Sequence, residues 1–347
     1  MSFLNLGFLS SFKSDSLLLK IAIIGFLYYL KRHMALTVKT LDIRDYKNPV
    51  SKDQFIGELK ESFQEIGFVI IKGHDVNSEL QKRAYDKVDA FFNWPVEKKR
   101  SFHLKGTGGE RGYTAFGVEH AKGQSVGDLK EFFQYGPTVP SDYKMAENYV
   151  DNVQVSDIEG FDKTQQELFS SLNELGMDLL RAIAVILEQD EEYFTEKVRY
   201  GNSKLRAINY PPIKEDAPEG AIRSAEHEDI NLITLLIGAS NPGLQAKTRT
   251  GEWLDIQTQA DEIVINVGDM LQRLTNYKLI STPHRVINPP KELWATARYS
   301  MPFFLHPVSS MSLDALPNCV SEENPKRDPA TTAGEYLDER LREIGLK

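Results

Sequence analysis

The chain has 347 residues, 41% hydrophobic and 26% charged, which is enough apolar material for one large core or two small ones. Its 50 acidic residues outnumber 41 basic ones for a net charge of −9, so it has no electrostatic reason to seek phosphate backbones, and nucleic acid is set aside as a partner. The single cysteine, Cys319, excludes an internal disulfide framework and a CxxC zinc site and fits a reducing, cytoplasmic compartment.

Residues 17–30 read "LLLKIAIIGFLYYL" and are followed at once by Lys31 and Arg32. The uninterrupted apolar run from 21 to 30 is shorter than the ~20 residues that span a bilayer, and no small-residue cleavage site follows it. Read as an anchor, the basic pair keeps the folded part on the cytoplasmic side. Read as an upstream extension, it leaves Met34 as the effective start. Membrane association through residues 17–30 therefore stays open, and the fold is sought downstream.

"TVKTLDIRDY" predicts a short strand. "QFIGELKESFQEIG" has helical spacing, with Phe55, Leu59, Phe63 and Ile66 on one face. "FVIIKGH" reads as a buried strand, residues 79–92 as a second amphipathic helix, and 106–127 as a long glycine-rich loop. Residues 161–187 form the strongest helical pattern in the chain. Beyond Tyr200 the texture changes to short β-rich runs ("KLRAINY", "NLITLLIG", "GLQAKT", "EWLDI", "EIVINVG", "HRVIN", "RYSMPFFL") separated by Gly, Pro, Asn and Asp turns, as in an antiparallel sandwich or barrel. A closing helix follows in "TTAGEYLDERLREIG", with Thr332 as its cap.

Within "SAEHEDINLITLL", His227 and Asp229 stand two apart, so in a strand they share one face, while Glu226 and Glu228 point the other way, to solvent or a salt bridge. Such a pair alone is weak evidence, being more often surface polarity than a metal site. His284, on another predicted strand, would complete two imidazoles and a carboxylate, the set that leaves open positions on a non-haem Fe(II). Arg298 and Ser300 form a second such pair, suited to gripping a carboxylate, and Tyr210 offers a phenol. Arg298 also has an ordinary reading as a surface or ion-paired arginine, and Tyr210 as a core aromatic. His74, His103, His120 and His306 lack ligand spacing and read as loop or packing residues. Phe132, Phe133 and Tyr135 read as core.

Motifs, order and spacing together resemble the isopenicillin N synthase-like group of Fe(II)/2-oxoglutarate-dependent dioxygenases. The resemblance is carried by "HEDINLITLL", "GDMLQRLTNYKLISTPHRV" and "RYSMPFF", with "ELKESFQEIGFVIIKGHDV", "RGYTAFGVEHAKG", "DLKEFFQYG" and "TTAGEYLDERL" around them, and covers residues 36–341. It implies an α+β chain with a mainly β core, a double-stranded β-helix (jelly roll) with flanking helices. It also implies iron held by His227, Asp229 and His284, and 2-oxoglutarate held by Arg298 and Ser300 with Tyr210 as helper. The implied reaction consumes O2, releases succinate and CO2, and oxidises, by default hydroxylates, a small-molecule substrate. Many relatives carry Thr where this chain has Glu228.

The corresponding organisation is a hydrophobic extension (1–33), an N-terminal dioxygenase region (34–145), supporting helices (146–199), the jelly-roll domain (200–308) and a C-terminal extension with a helix (309–347). Two other readings remain at this stage: an Fe(II) oxidase of the isopenicillin N synthase type that uses no 2-oxoglutarate, and a catalytically silent jelly-roll binding protein. The intact ligand set weighs against the second.

Overall fold

A computed structural model describes residues 37–119, 127–143 and 149–343; the extension with its apolar run 17–30, and His120, lie outside the described residues. Strand β1 (Thr40–Asp42) runs directly into helix α1 (Ile43–Lys47), so the strand expected over "TVKTLDIRDY" is only three residues long. The cause is local: the Asp42 carboxylate accepts the N–H of Arg44 and caps a helix there. Helix α2 (Lys52–Glu65) buries Phe55, Leu59 and Phe63, and β2 (Phe68–Lys72) follows. Helix α3 (Ser78–Phe92) is capped by Asn77, which accepts from the N–H of Leu80 at 3.0 Å, and the short α4 (Val96–Arg100) comes next.

The segment read as loop contains β3 (Gly112–Thr114), which pairs with β4 (Glu131–Tyr135). Helix α5 (Phe161–Ile186) matches its predicted span closely and leads through α6 (Thr195–Val198) to the β-rich half. That half comprises β5 (Lys204–Tyr210), β6 (Ser224–His227), β7 (Ile233–Ile237), β8 (Leu244–Lys247), β9 (Trp253–Asp255) and β10 (Ile263–Val267). After them come α7 (Asp269–Leu274), β11 (His284–Val286), β12 (Arg298–Leu305) and α8 (Ala333–Glu343). Helix α8 opens with a capping box: the Glu335 carboxylate accepts the N–H of Thr332 at 3.0 Å, and the Thr332 hydroxyl accepts the N–H of Glu335 at 3.3 Å.

The strands form two sheets, an eight-stranded one in the order β1-β2-β10-β7-β12-β5-β4-β3 and a four-stranded one in the order β6-β11-β8-β9. This is the two-sheet jelly roll the sequence implies, in an α+β setting. Period-two alternation gives the large sheet two different faces. Val69, Ile71, Leu205, Ala207, Ile233, Leu235, Ile265, Met301, Phe303 and Leu305 join the helices in one core. Phe68, Ile70, Phe132, Ile208, Tyr210 and Val264 join Leu244, Ala246, Ile256 and Val286 in a second cluster that includes the small sheet. Both faces are buried, so the sequence of these strands shows little hydrophobic alternation.

Helix α5 lies close on the outer face of the sheet because residue 176 is glycine: a Cβ there would stand 2.4 Å from Leu305 Cδ1. Gly176→Val should lower stability by about 1–3 kcal/mol through overpacking, read as a lower denaturation midpoint; an unchanged midpoint would show that the helix does not need this approach.

His306, just past the end of β12, is buried, and burial, reinforced by Lys204, Arg206 and Arg111, pushes its pKa well below the ordinary value. The unfolded chain then takes up a proton that the fold refuses, so stability drops as pH falls below ~6.5, by at most about 1.4 kcal/mol per pH unit for this group. Replacing His306 by Gln should flatten that decline between pH 6.5 and 5 in denaturant titrations; an identical slope would mean the native histidine is protonated.

Candidate active site

His227 is the last residue of β6, and strand geometry stops there. Asp229 lies beyond the strand, on the turn through which the chain crosses from the small sheet to β7 of the large one. The expectation that His227 and Asp229 lie on one strand is thus corrected: "SAEH" and "ITLLI" belong to different sheets. Helix α7 holds the turn. The N–H of Asp269 donates to the Asp229 carbonyl at 2.8 Å, and the N–H of Met270 to that of Asn231 at 3.0 Å. Gly268, before the helix, permits the approach, since a Cβ there would meet the Asn231 side-chain and backbone oxygens at 2.1 and 2.4 Å.

His284 opens β11 directly opposite His227 in the antiparallel pairing, with ring centroids 4.4 Å apart. Each imidazole is oriented through Nδ1: His227 on the Ala225 carbonyl at 2.8 Å, His284 on the Thr282 carbonyl at 3.1 Å. This leaves both Nε2 atoms facing Asp229 Oδ1, at 3.9 Å and 3.7 Å. The other carboxylate oxygen, Oδ2, accepts from Thr234 Oγ1 at 2.6 Å and Asn266 Nδ2 at 2.8 Å. One ligand atom from each of the three residues falls within 4.8 Å of the others, which suits a single cation.

The protonation states fit as well. Burial pushes His227 down to about 4, helped by His284, although 34% of its side chain is exposed to the cavity. Burial would raise Asp229, but the two histidines and its two hydrogen bonds hold it below the usual carboxylate range. Two imidazoles, His227 held neutral among them, and a carboxylate leave a divalent ion with net positive charge.

The three residues open into a cavity of about 390 Å3 whose wall also carries Arg298, Ser300 and Tyr210. Arg298 and Ser300 share the inner face of β12, and Arg298 pairs in register with Tyr210 at the end of β5. The Arg298 guanidinium carbon sits 5.1 Å from the centroid of the Tyr210 ring. Its Nε donates to the Asn241 carbonyl at 2.9 Å, while its buried Nη1 has no partner. A buried donor without a partner is costly, and a ligand carboxylate would satisfy it.

The sequence did not reveal the ion cluster on another part of the wall. Lys130 contacts Glu119 at 2.7 Å and Asp128 at 2.8 Å, and Arg206 reaches both oxygens of Glu119 at 3.2 and 3.1 Å and Gln134 at 3.1 Å. Asp128 also accepts the N–H of Ala225 at 3.0 Å, which ties this cluster to the strand of His227. Arg206 lies 4.1 Å over the ring of Phe132, which faces the barrel, whereas Phe133 and Tyr135 are core as expected. The available signal was parity: Lys204 and Arg206 alternate with buried apolar residues and share a face with Tyr210. His306, read as packing, also lines the cavity. Glu226 is exposed and bonded to Lys247 at 2.8 Å, as expected, but Glu228 does not turn to solvent or an ordinary salt bridge. Past the end of β6 it stands beside Asp269, near Arg340 of α8, and burial followed by Asp269 pushes its pKa well up.

Two family models match the chain: "non-haem dioxygenase in morphine synthesis N-terminal" over residues 38–157 and "2OG-Fe(II) oxygenase superfamily" over 198–307. A proline hydroxylase of Petromyces alliaceus is 30% identical over 319 residues, covering 88% of this chain and 98% of its own. The crystal structure of a 2OG-Fe(II) oxygenase family protein from Caulobacter crescentus superposes with a TM-score of 0.80 at 42% identity, covering 89% of this chain and 99% of that one. A full-length Neurospora crassa protein crystallised in complex with alpha-KG gives 0.78 at 28% identity, with 89% and 97% covered. These likenesses favour the 2-oxoglutarate-dependent reading over an oxidase without 2-oxoglutarate and over a silent binding protein. With the converging ligand set, they make the chain a member of the 2-oxoglutarate–Fe(II) oxygenase superfamily, an oxidoreductase that uses Fe(II), 2-oxoglutarate and O2 on a small molecule.

Proposed function

We propose that His227, Asp229 and His284 hold the iron, that Arg298 and Ser300 with Tyr210 receive the far carboxylate of 2-oxoglutarate, and that the outcome is hydroxylation of the small-molecule substrate. The observation carrying this is the convergence of three donor atoms within 4.8 Å, each held by a bond on its far side. Iron supplies activation of O2 and the oxidative decarboxylation of 2-oxoglutarate to succinate and CO2.

The chain's own residues supply position. The Ala225 and Thr282 carbonyls select the imidazole tautomer that presents Nε2. Thr234 and Asn266 occupy one oxygen of Asp229, so the other is left for the metal. Arg298, with an unsatisfied donor, binds the acid end of the co-substrate and orients its keto end away from itself. Phe68, Leu236, Leu244 and Val286 line the same cavity and limit its water.

In this reading residues 200–308 carry most of the jelly-roll strands, residues 34–145 add β1–β4 to its large sheet, 146–199 supply supporting helices and 309–347 a C-terminal extension with a helix. Among the described residues no helix is long and apolar enough to cross a membrane. The finer reading, a cytoplasmic enzyme touching a membrane through residues 17–30, rests on Lys31 and Arg32 and is checked by vesicle flotation with and without residues 1–33.

Anaerobic addition of Fe(II) and 2-oxoglutarate should produce a visible charge-transfer band, and air should then yield succinate. Asp229→Ala should abolish turnover while the far-UV circular dichroism is kept; retained activity would remove Asp229 from the site. Arg298→Leu should raise the 2-oxoglutarate requirement roughly 10–100-fold, the loss expected for one charge-assisted contact, with a much smaller effect on iron affinity. Equal losses of both would mark Arg298 as structural.

A further inference from the structure

Arg223, immediately before β6, is 1% exposed and has no acidic partner among the described residues. Its backbone N–H donates to Asn288 Oδ1 at 3.0 Å, its Nη2 donates to the Thr296 carbonyl at 3.0 Å, and its Nε is buried without a partner. Arg298 hangs on the same short stretch of chain. Asn241 accepts from Arg298 Nε and donates its own Nδ2 to the Ala297 carbonyl at 3.1 Å. Arg223, Asn241 and Thr296 line a separate cavity of about 250 Å3, and Leu244 belongs to the walls of both it and the main one.

Buried arginines are normally paired, and two other cations in this barrel, Lys130 and Arg206, each contact a carboxylate. Among the described residues no carboxylate lies within ion-pair distance of either Arg223 or Arg298. Arg223 is bonded to the Thr296 carbonyl, two residues before Arg298, and Arg298 is bonded to Asn241 on the wall of the cavity that Arg223 lines, so the two like charges are neighbours. Burial and then Arg298 hold the Arg223 pKa below its ordinary value. Two neighbouring buried guanidinium groups repel until an anion arrives, and a carboxylate on Arg298 is then attracted by both.

We infer that Arg223 is a second cation for the far carboxylate of the co-substrate, acting through charge from behind Arg298 and setting the preference for a dicarboxylic 2-oxo acid over a 2-oxo monoacid. This rests on the assignment of Arg298 to that carboxylate. Arg223 is a positioning residue: it lines the neighbouring cavity and does not line the one that holds the metal site. Its effect depends on its charge and is felt only by a ligand with a negative far end.

The test compares 2-oxoglutarate with 2-oxopentanoate, which has the same chain length without the far carboxylate, by anaerobic titration of the Fe(II)-loaded full-length protein. Arg223→Gln should weaken 2-oxoglutarate binding about tenfold, equivalent to ~1.4 kcal/mol, and leave 2-oxopentanoate unchanged. Arg223→Lys, which keeps the charge, should retain most of the 2-oxoglutarate affinity. Unchanged 2-oxoglutarate binding in Arg223→Gln, equal weakening of both acids, or a Lys variant no better than the Gln variant would overturn the inference. Arg298→Leu is titrated alongside. If that variant binds 2-oxoglutarate normally, the assignment of Arg298 itself fails; if it loses binding while Arg223→Gln does not, only the role of Arg223 fails.

Discussion

The hydrogen bond from the N–H of Asp269 to the carbonyl of Asp229 is the contact on which the site depends. Of the three converging residues His227, Asp229 and His284, Asp229 is the one that no strand supports. It sits where the chain leaves one sheet for the other, and such a turn is ordinarily the least constrained part of a β protein. Here the start of α7 fastens it through two backbone bonds, and Gly268 lets that helix come close enough to make them. Thr234 and Asn266, from two strands of the large sheet, then fix the carboxylate. The large sheet therefore positions the acid, the small sheet positions both histidines, and the crossing turn joins the two halves.

This division explains what could be read from the chain and what could not. The helices over residues 52–65, 78–92 and 161–186 were legible because each buries one stripe at helical spacing. The β-rich runs were legible from their turn residues, and His284, Arg298 and Ser300 fall on strands as expected. The end of β6 was not legible. "EHEDINLITLL" contains no glycine or proline to announce a break, and what ends the strand is a contact with residues 268–270, distant in sequence. The fate of Glu228 follows from the same miss, since alternation fails once the strand has stopped. The cluster of Glu119, Asp128, Lys130 and Arg206 was hidden for a related reason: its partners come from separate segments, and each alone looks like an ordinary surface charge.

Glu228 shows how tertiary packing changes the meaning of a residue. A carboxyl group beside Asp269 and under α8 is held toward its protonated form by burial and by that neighbour. Tyr336 donates to Asp269 at 3.2 Å from the same helix, and Leu337, Arg340 and Leu341 stand on the cavity wall. The C-terminal helix thus packs against residues immediately beside His227 and Asp229, although it lies far from them in sequence. A segment that reads as a simple amphipathic helix forms part of the active-site wall.

Charge balance divides the interior of the barrel. Along β12 and β5 the inward residues run from Arg298 and Tyr210 at one end to Phe304 and Lys204 at the other, paired in register. Toward the second end Arg206 is already satisfied by Glu119 and Gln134, so an incoming anion would have to displace partners in place. At the first end Arg298 keeps an open donor, and among the described residues no carboxylate stands within ion-pair distance of it. An incoming anion therefore gains most at the first end, where the protein leaves positive charge uncompensated.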